Sequence, residues 1–342
     1  MSKRIMAIGP VSVFALAVSL GSATAQDPVT LRVADALPAS HYVVEYAIQW
    51  WMDEVSDRTD GAVSFEYYPA QQLGSASDIL SLTQSGVADI GYVVPSYVSD
   101  RMPLSGVAQL PGGFSTSCEG TEAFWQLITD DGMLAEQEFA PNGMHVLIAL
   151  VQPPYQMFTT GQPLTSMDDM SGLKIRTTGG AMDITMERID AIPVRMPGPE
   201  ILEALERGTI DGGVFPPASV LANDWQGTLA YGTVGASFGS FALTYSISED
   251  RWNALPADIQ QIMTDAGREA TFRTCEQVDE DLQAAIEDLR AAGVTMEALP
   301  EAEQNRVDEA LAGVSGAWAA DLDAQGEAGT EVLEAFRAAL SD

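Results

Sequence analysis

The chain has 342 residues, with 49 acidic side chains against 16 basic ones and a formal net charge of −33. A surface of that sign repels phosphate backbones and anionic lipid, which excludes nucleic acid as a partner, and its plain use is solubility in a medium salty enough to screen it. The length suffices for a large core and two lobes, and no Gly-x-Gly-x-x-Gly, Walker-type loop or His-Glu-x-x-His pattern is present, so no cofactor and no metal are expected.

Lys3 and Arg4, an apolar run over 11–20 and Ala23-Thr24-Ala25 have the layout of a secretory signal covering residues 1–25. The run is shorter than the roughly 20 residues a membrane span needs, so the mature protein is expected to be exported and soluble. Residues 30–35 alternate as a first strand. Ser40 is a candidate helix cap, followed by Val44, Ala47, Ile48, Trp51 and Val55 on one helical face, a spacing that makes Trp51 core. Val63, Phe65 and Tyr67 alternate as a second strand, which closes a βαβ unit and predicts a mostly parallel sheet. A helix over 77–85 and a strand over 89–93, stopped by Pro95, continue it.

Residues 103–113 read as a loop, 121–139 as helical and 144–151 as a buried strand. Pro153-Pro154 mark a first crossing between lobes. Strands over 173–176, 192–196 and 210–215, with helices over 182–189 and 199–207 between them, predict a second sheet. Residues 233–248 look extended and return to the first lobe. From Pro256 to Ala292 a helical stripe runs with no further proline, long enough to bridge both lobes, and the acidic segment 299–340 reads as a helical cover for the second. Cys118 and Cys275 either pair, as exported cysteines commonly do, or stand as two buried thiols.

The most informative stretch is Gly172-Leu173-Lys174-Ile175-Arg176-Thr177-Thr178-Gly179-Gly180. It is a strand that ends at an arginine and a glycine pair. In open α/β sheets ligands bind beyond the carboxyl ends of the strands, and a guanidinium there can hold a carboxylate through two parallel hydrogen bonds. Further motifs follow in order: Tyr68-Pro69-Ala70-Gln71-Gln72-Leu73-Gly74-Ser75, Gln84-Ser85-Gly86-Val87-Ala88-Asp89-Ile90-Gly91-Tyr92, Ala191-Ile192-Pro193-Val194-Arg195-Met196-Pro197 and Gly208-Thr209-Ile210-Asp211-Gly212-Gly213. The ordered set resembles the substrate-binding subunits of tripartite ATP-independent periplasmic (TRAP) transporters, the DctP-type family.

The resemblance implies an α/β, two-lobed periplasmic binding protein fold with a ligand cleft between the lobes. Lobe I would hold residues 26–152 plus about 240–280, and lobe II 153–239 plus about 281–342. It further implies a periplasmic protein that hands a small carboxylate to integral-membrane permease subunits, with Arg176 on the carboxylate. Where many members place a second arginine this chain has Gln156, and where many have an asparagine it has Phe215; Val94 and Phe238 fall at cleft positions that are polar in sugar-acid binders. Those departures remove polar groups, so a second buried carboxylate would stand unpaired at a cost of several kcal/mol. Two ligand classes remain. One is a monocarboxylate with an aromatic or apolar body. The other is a zwitterion whose onium group lies against Phe215, Phe238 or Tyr92, with Asp35 nearby; Asp35 could equally be a capping or hinge carboxylate.

A ligand sensor presented to a receptor is the runner-up role. A hydrolase is the competing class, because Gly235-Ala236-Ser237-Phe238-Gly239 matches a nucleophile elbow. That motif needs a strand before it, a helix after it and a histidine further along, whereas the segment reads as extended and His41 and His145 both lie upstream.

Overall fold

The computed structural model describes residues 28–341, so the secretory signal expected over 1–25 lies outside the described residues. The first sheet opens with β1 (Val29–Ala34), whose Leu31 and Val33 point inward, and β2 (Val63–Tyr68) pairs with it in parallel. Between them the chain turns through a π-helical stretch, Val44–Gln49, into α1 (Trp50–Arg58). Ser40 does not cap that helix. No side chain caps the π-helical stretch; His41 Nδ1 accepts from the Val43 amide at 3.3 Å just ahead of it. Trp51 is buried as its spacing predicts, with the indole N–H given to the Met263 carbonyl at 3.1 Å.

After α2 (Ile79–Gln84) comes β3 (Ile90–Val93), then α3 (Ser117–Ile128) and β4 (Met144–Val151), all of whose residues but His145 are buried. The chain now leaves for a second sheet. It contributes β5 (Gln156–Thr159), β6 (Lys174–Thr177), α4 (Ala181–Arg188), β7 (Ile192–Arg195), α5 (Ile201–Glu206), β8 (Gly212–Phe215), α6 (Pro217–Ala222) and β9 (Tyr231–Thr233), and returns as β10 (Ala242–Ser248). The short strands β5 and β9 and helix α6 are too brief to show a period in the sequence. The stretch 233–248, expected to be extended throughout, is divided: β9 belongs to the second sheet, β10 to the first, and 234–241 cross between them.

After α7 (Glu249–Asn253) and α8 (Ala257–Ala291), β11 (Thr295–Glu297) completes the sheets. Their orders are β2-β1-β3-β10-β4 and β11-β9-β5-β8-β6-β7. Both sheets are mixed rather than mostly parallel. β1 pairs in parallel with β2 and β3, β6 with β7 and β8, and β9 with β11, as βαβ units require. The strands at the crossings run the other way, β10 antiparallel to β3 and β4, and β5 antiparallel to β8 and β9. The two crossing segments pair with each other: Gln152 N–H bonds Phe241 O at 2.9 Å, Tyr155 N–H bonds Gly239 O at 2.8 Å and Phe238 N–H bonds Tyr155 O at 3.1 Å.

Helix α8 is unbroken over 35 residues and packs on both halves. Ile259, Met263, Ala266 and Ala270 join the core under the first sheet; Ile286 and Leu289 join Phe158, Ile201 and Phe215 under the second. Gly267 does not interrupt it. It sits against the Leu147 carbonyl of β4 so closely that a Cβ would come within 2.1 Å, so only glycine lets helix and strand approach. Cys118 of α3 and Cys275 of α8 form a disulfide with Cα atoms 4.9 Å apart.

The acidic tail forms α9 (Glu301–Leu311), α10 (Val314–Gln325) and α11 (Gly329–Ala339). It is not a cover for the second lobe alone. α10 packs on α4, whereas α11 packs on α3 and on the 3-10 turn Leu104–Gln109, because its apolar stripe of Val332, Leu333 and Phe336 meets Phe114 there. Among the described residues no helix is long and apolar enough to cross a membrane.

Candidate functional site: an aromatic cleft around one arginine

Arg176 stands in β6, level with Val194 of β7 and Gly213 of β8. It is 3% exposed. A Cβ on Gly213 would strike the Phe215 ring at 2.2 Å, so the glycine leaves room for that ring to fold back beside the arginine. The guanidinium carbon lies 5.7 Å from the ring centroid. Nε–H donates to the Met196 carbonyl at 3.0 Å and Nη2–H to the Tyr97 hydroxyl at 3.3 Å.

An arginine side chain carries five N–H donors, so three remain without a protein acceptor. No carboxylate pairs with Arg176 among the described residues, although Arg195 pairs with Asp183, Arg32 with Asp89 and Arg58 with Glu269. A buried cation without a counter-ion is costly, and its open donors leave it able to take an anion.

Tyr97 comes from Pro95–Val98, the turn after β3 of the first sheet, and so reaches across to the second. Its oxygen accepts from Arg176 and also from the Gly198 amide at 3.1 Å. Both lone pairs are then taken and its own proton is left to give. The cavity in front of these groups has a volume of about 320 Å³, within the range of small-ligand sites. Tyr92, Tyr97, Tyr155, Phe215, Trp225 and Phe241 supply its walls. They brace one another: Phe241 lies 5.8 Å from Tyr97 and 6.5 Å from Tyr155, and Phe215 lies 4.8 Å from Trp225, all between centroids. Burial pushes the Tyr92 and Tyr155 hydroxyls well above the ordinary tyrosine range, so both stay protonated donors. Arg176 is the sole charged side chain of the lining at neutral pH; His41, also in the wall, is held down to about 4 by burial and is neutral.

Of the residues singled out in the sequence, Arg176, Phe215 and Tyr92 line this cavity, and Gln156, Phe238, Val94 and Asp35 do not. Gln156 ties the crossings together. Its Nε2 donates to Ala236 O at 2.7 Å and Pro154 O at 3.2 Å, while its Oε1 accepts from Thr233 Oγ1 and the Ala236 amide. Phe238 and Val94 are packed in the core behind. Asp35 is 1% exposed and accepts from Leu37 N at 2.8 Å, Tyr67 Oη at 3.1 Å and Tyr245 Oη at 2.7 Å. Desolvation raises its carboxyl to about 6 against those three bonds.

Tyr97, Tyr155, Trp225, Phe241, His41 and Gln152 were not singled out. A usable signal existed for two of them, since Tyr97 follows the proline that stops β3 and Tyr155 follows Pro153-Pro154, both at chain turns that face the cleft. The elbow motif lacks its context. Ser237 accepts from the Gly112 amide at 3.0 Å, and a strand follows it where a helix is required; His145 is stacked on Trp252 at 4.0 Å.

Two sheets, a long helix packed on both and a cavity around an arginine with no acidic partner are the arrangement of a periplasmic-type solute-binding protein. The family model for "Bacterial extracellular solute-binding protein, family 7" (DctP) matches residues 33–320, and the chain belongs to that family, the solute-binding proteins of TRAP transporters. A TRAP solute-binding protein from Rhodoferax ferrireducens T118, in complex with copurified benzoate, is 26% identical with a TM-score of 0.84, over 92% of this chain and 98% of that one. One from Bordetella bronchiseptica with bound (R)- and (S)-mandelate is 26% identical with a TM-score of 0.82, over 92% and 99%. The Comamonas testosteroni protein named "Outer membrane transporter protein TsaT" is 25% identical over 316 residues, 90% of this chain and 91% of its own.

Proposed function

We propose that this protein captures a small aromatic monocarboxylate in the cleft, closes over it and delivers it to a TRAP-type membrane permease from the periplasm. The observation that carries this reading is the buried Arg176 with three open donors and no acidic partner, set in an aromatic wall. One cation matches one carboxylate. The acid oxygens would take the free Nη donors of Arg176 and the phenolic proton of Tyr97, while the ring lies among Phe215, Tyr155 and Phe241. That two proteins sharing this fold at 26% identity hold benzoate and mandelate supports an aromatic body.

A dicarboxylate would bring a second charge to a lining that has no second cation. An onium zwitterion loses the carboxylate it was expected to find, because Asp35 is spent on Leu37, Tyr67 and Tyr245. Calorimetric titration of the purified protein with benzoate, mandelate, glycine betaine and succinate tests the assignment. Binding of the aromatic acids, with succinate and betaine silent, is the expected result; a heat with succinate or betaine alone overturns it.

A further inference from the structure

The cleft wall also carries a group of polar side chains that the carboxylate does not use. Tyr42, Gln152 and Ser219 form a chain that joins the first sheet's helix, the crossing segment and α6. The Tyr42 hydroxyl donates to Gln152 Oε1 at 2.8 Å and lies 3.2 Å from Ser219 Oγ. Tyrosine has a single proton to give, so the second bond must run from Ser219 to Tyr42. The order Ser219 to Tyr42 to Gln152 turns the amide nitrogen of Gln152 away from this chain, and that nitrogen has no protein acceptor. Gln152 is 3% exposed and lines the cavity.

His41 adds a second such donor. It is 3% exposed, lines the same cavity and stacks on Tyr42 with ring centroids 4.6 Å apart. Its Nδ1 accepts from the Val43 amide, which fixes the neutral tautomer with the proton on Nε2, and Nε2 has no protein acceptor either. Burial keeps the ring neutral, so neither donor brings charge.

We propose that His41 Nε2–H and Gln152 Nε2–H form a second, neutral recognition pole for an uncharged acceptor oxygen, a hydroxyl or carbonyl, on the acid that Arg176 holds. The substrate class is then an oxygen-substituted aromatic monocarboxylate, and Tyr42 is the positioning residue that aims the amide. Buried donors left open by an unsubstituted ligand are a penalty, and an oxygen that accepts from both removes it. A second carboxylate would satisfy the same donors only by burying a charge with no cation beside it.

This inference rests on the carboxylate reading above, and the test keeps the two apart. Binding of benzoate is compared by calorimetry with that of its hydroxy- and oxo-substituted analogues, in the wild type, His41→Phe/Gln152→Leu, Tyr42→Phe and Arg176→Ala. The wild type should prefer at least one oxygenated acid by about tenfold, two modest hydrogen bonds' worth. The double variant should lose that preference, its affinities for benzoate and for the oxygenated acid drawing together, and Tyr42→Phe should lose part of it. Should the double variant fail to fold, the milder Tyr42→Phe carries the result. A wild type that does not discriminate, or variants that lose both ligand types equally, overturn the second pole. Unchanged binding in Arg176→Ala overturns instead the carboxylate reading beneath it.

Discussion

Arg176 and Asp35 make an instructive pair. Each sits at or just past the end of a strand in a different sheet, each is nearly inaccessible, and each was a candidate ligand contact. They differ in what their hydrogen-bonding capacity is spent on. Asp35 accepts from one amide and two tyrosines of its own lobe, and so anchors the β1 turn to β2 and β10. Arg176 gives two of five donors to the protein and faces a cavity with the rest. Burial and position were the same signal in both; unused hydrogen-bonding capacity is what sets Arg176 apart from the framework carboxylate.

The largest effect should come from Arg176→Ala. Loss of a buried charge-assisted pair should cost about 4 kcal/mol of ligand affinity, roughly a thousandfold. The unliganded melting temperature should hold or rise, since an unpaired buried cation is removed and no protein carboxylate loses its partner; calorimetry and a thermal scan on the same sample read both. Asp35→Ala should do the opposite. It strands three donors and is expected to lower unfolding free energy by about 3 kcal/mol in urea, with ligand affinity changed far less in the folded fraction. A variant pair with these outcomes exchanged would reverse the comparison.

A third test uses pH. The Asp35 carboxyl is raised from 3.8 to about 6 by burial, so between those values the folded state holds more protons than the unfolded one. Stability from this group is therefore greatest at acid pH and falls as pH rises from about 4 to about 6, by up to about 3 kcal/mol at about 1.4 kcal/mol per pH unit. Glu138, buried on the Leu104 and Ser105 amides and raised to about 7, acts in the same direction, whereas His41, lowered to about 4, loses stability as pH falls from about 6.5. The useful readout is thus the difference between wild type and Asp35→Asn across pH 4–7, which should slope downward for the wild type; a flat difference curve would mean that Asp35 is not desolvated. The smallest effect belongs to Tyr97→Phe. It removes one neutral donor to the carboxylate and one acceptor from Arg176, and should weaken binding by about 1 kcal/mol, roughly fivefold, without loss of selectivity.

Much of this was legible in the chain. Alternation gave β1 and β2, an apolar run gave β4, and a proline-free stripe gave α8 nearly to the residue, because each of these elements buries a continuous face that its periodicity records. Arg176 could be picked out for a different reason: basic residues are scarce, and this one ends a strand beside glycines. Gln156 shows the limit. Its place opposite a familiar arginine suggested a cleft position, yet Thr233 and Ala236 arrive from the returning crossing to saturate its amide. No local pattern announces a partner some 80 residues away.

The sequence by itself settled the two-sheet α/β plan, the bridging helix and the acidic charge balance, and it singled out Arg176, which lines the cavity, since all of these are written in period, composition and strand-end position. Only the tertiary structure decided which candidates face the cavity, that Tyr97 accepts from Arg176 and the Gly198 amide, that Cys118 and Cys275 meet, and that His41 and Gln152 line the same cavity. The reason is physical: a ligand site is made of hydrogen-bonding capacity left over after the protein has satisfied itself, and that remainder exists only once every neighbour is in place.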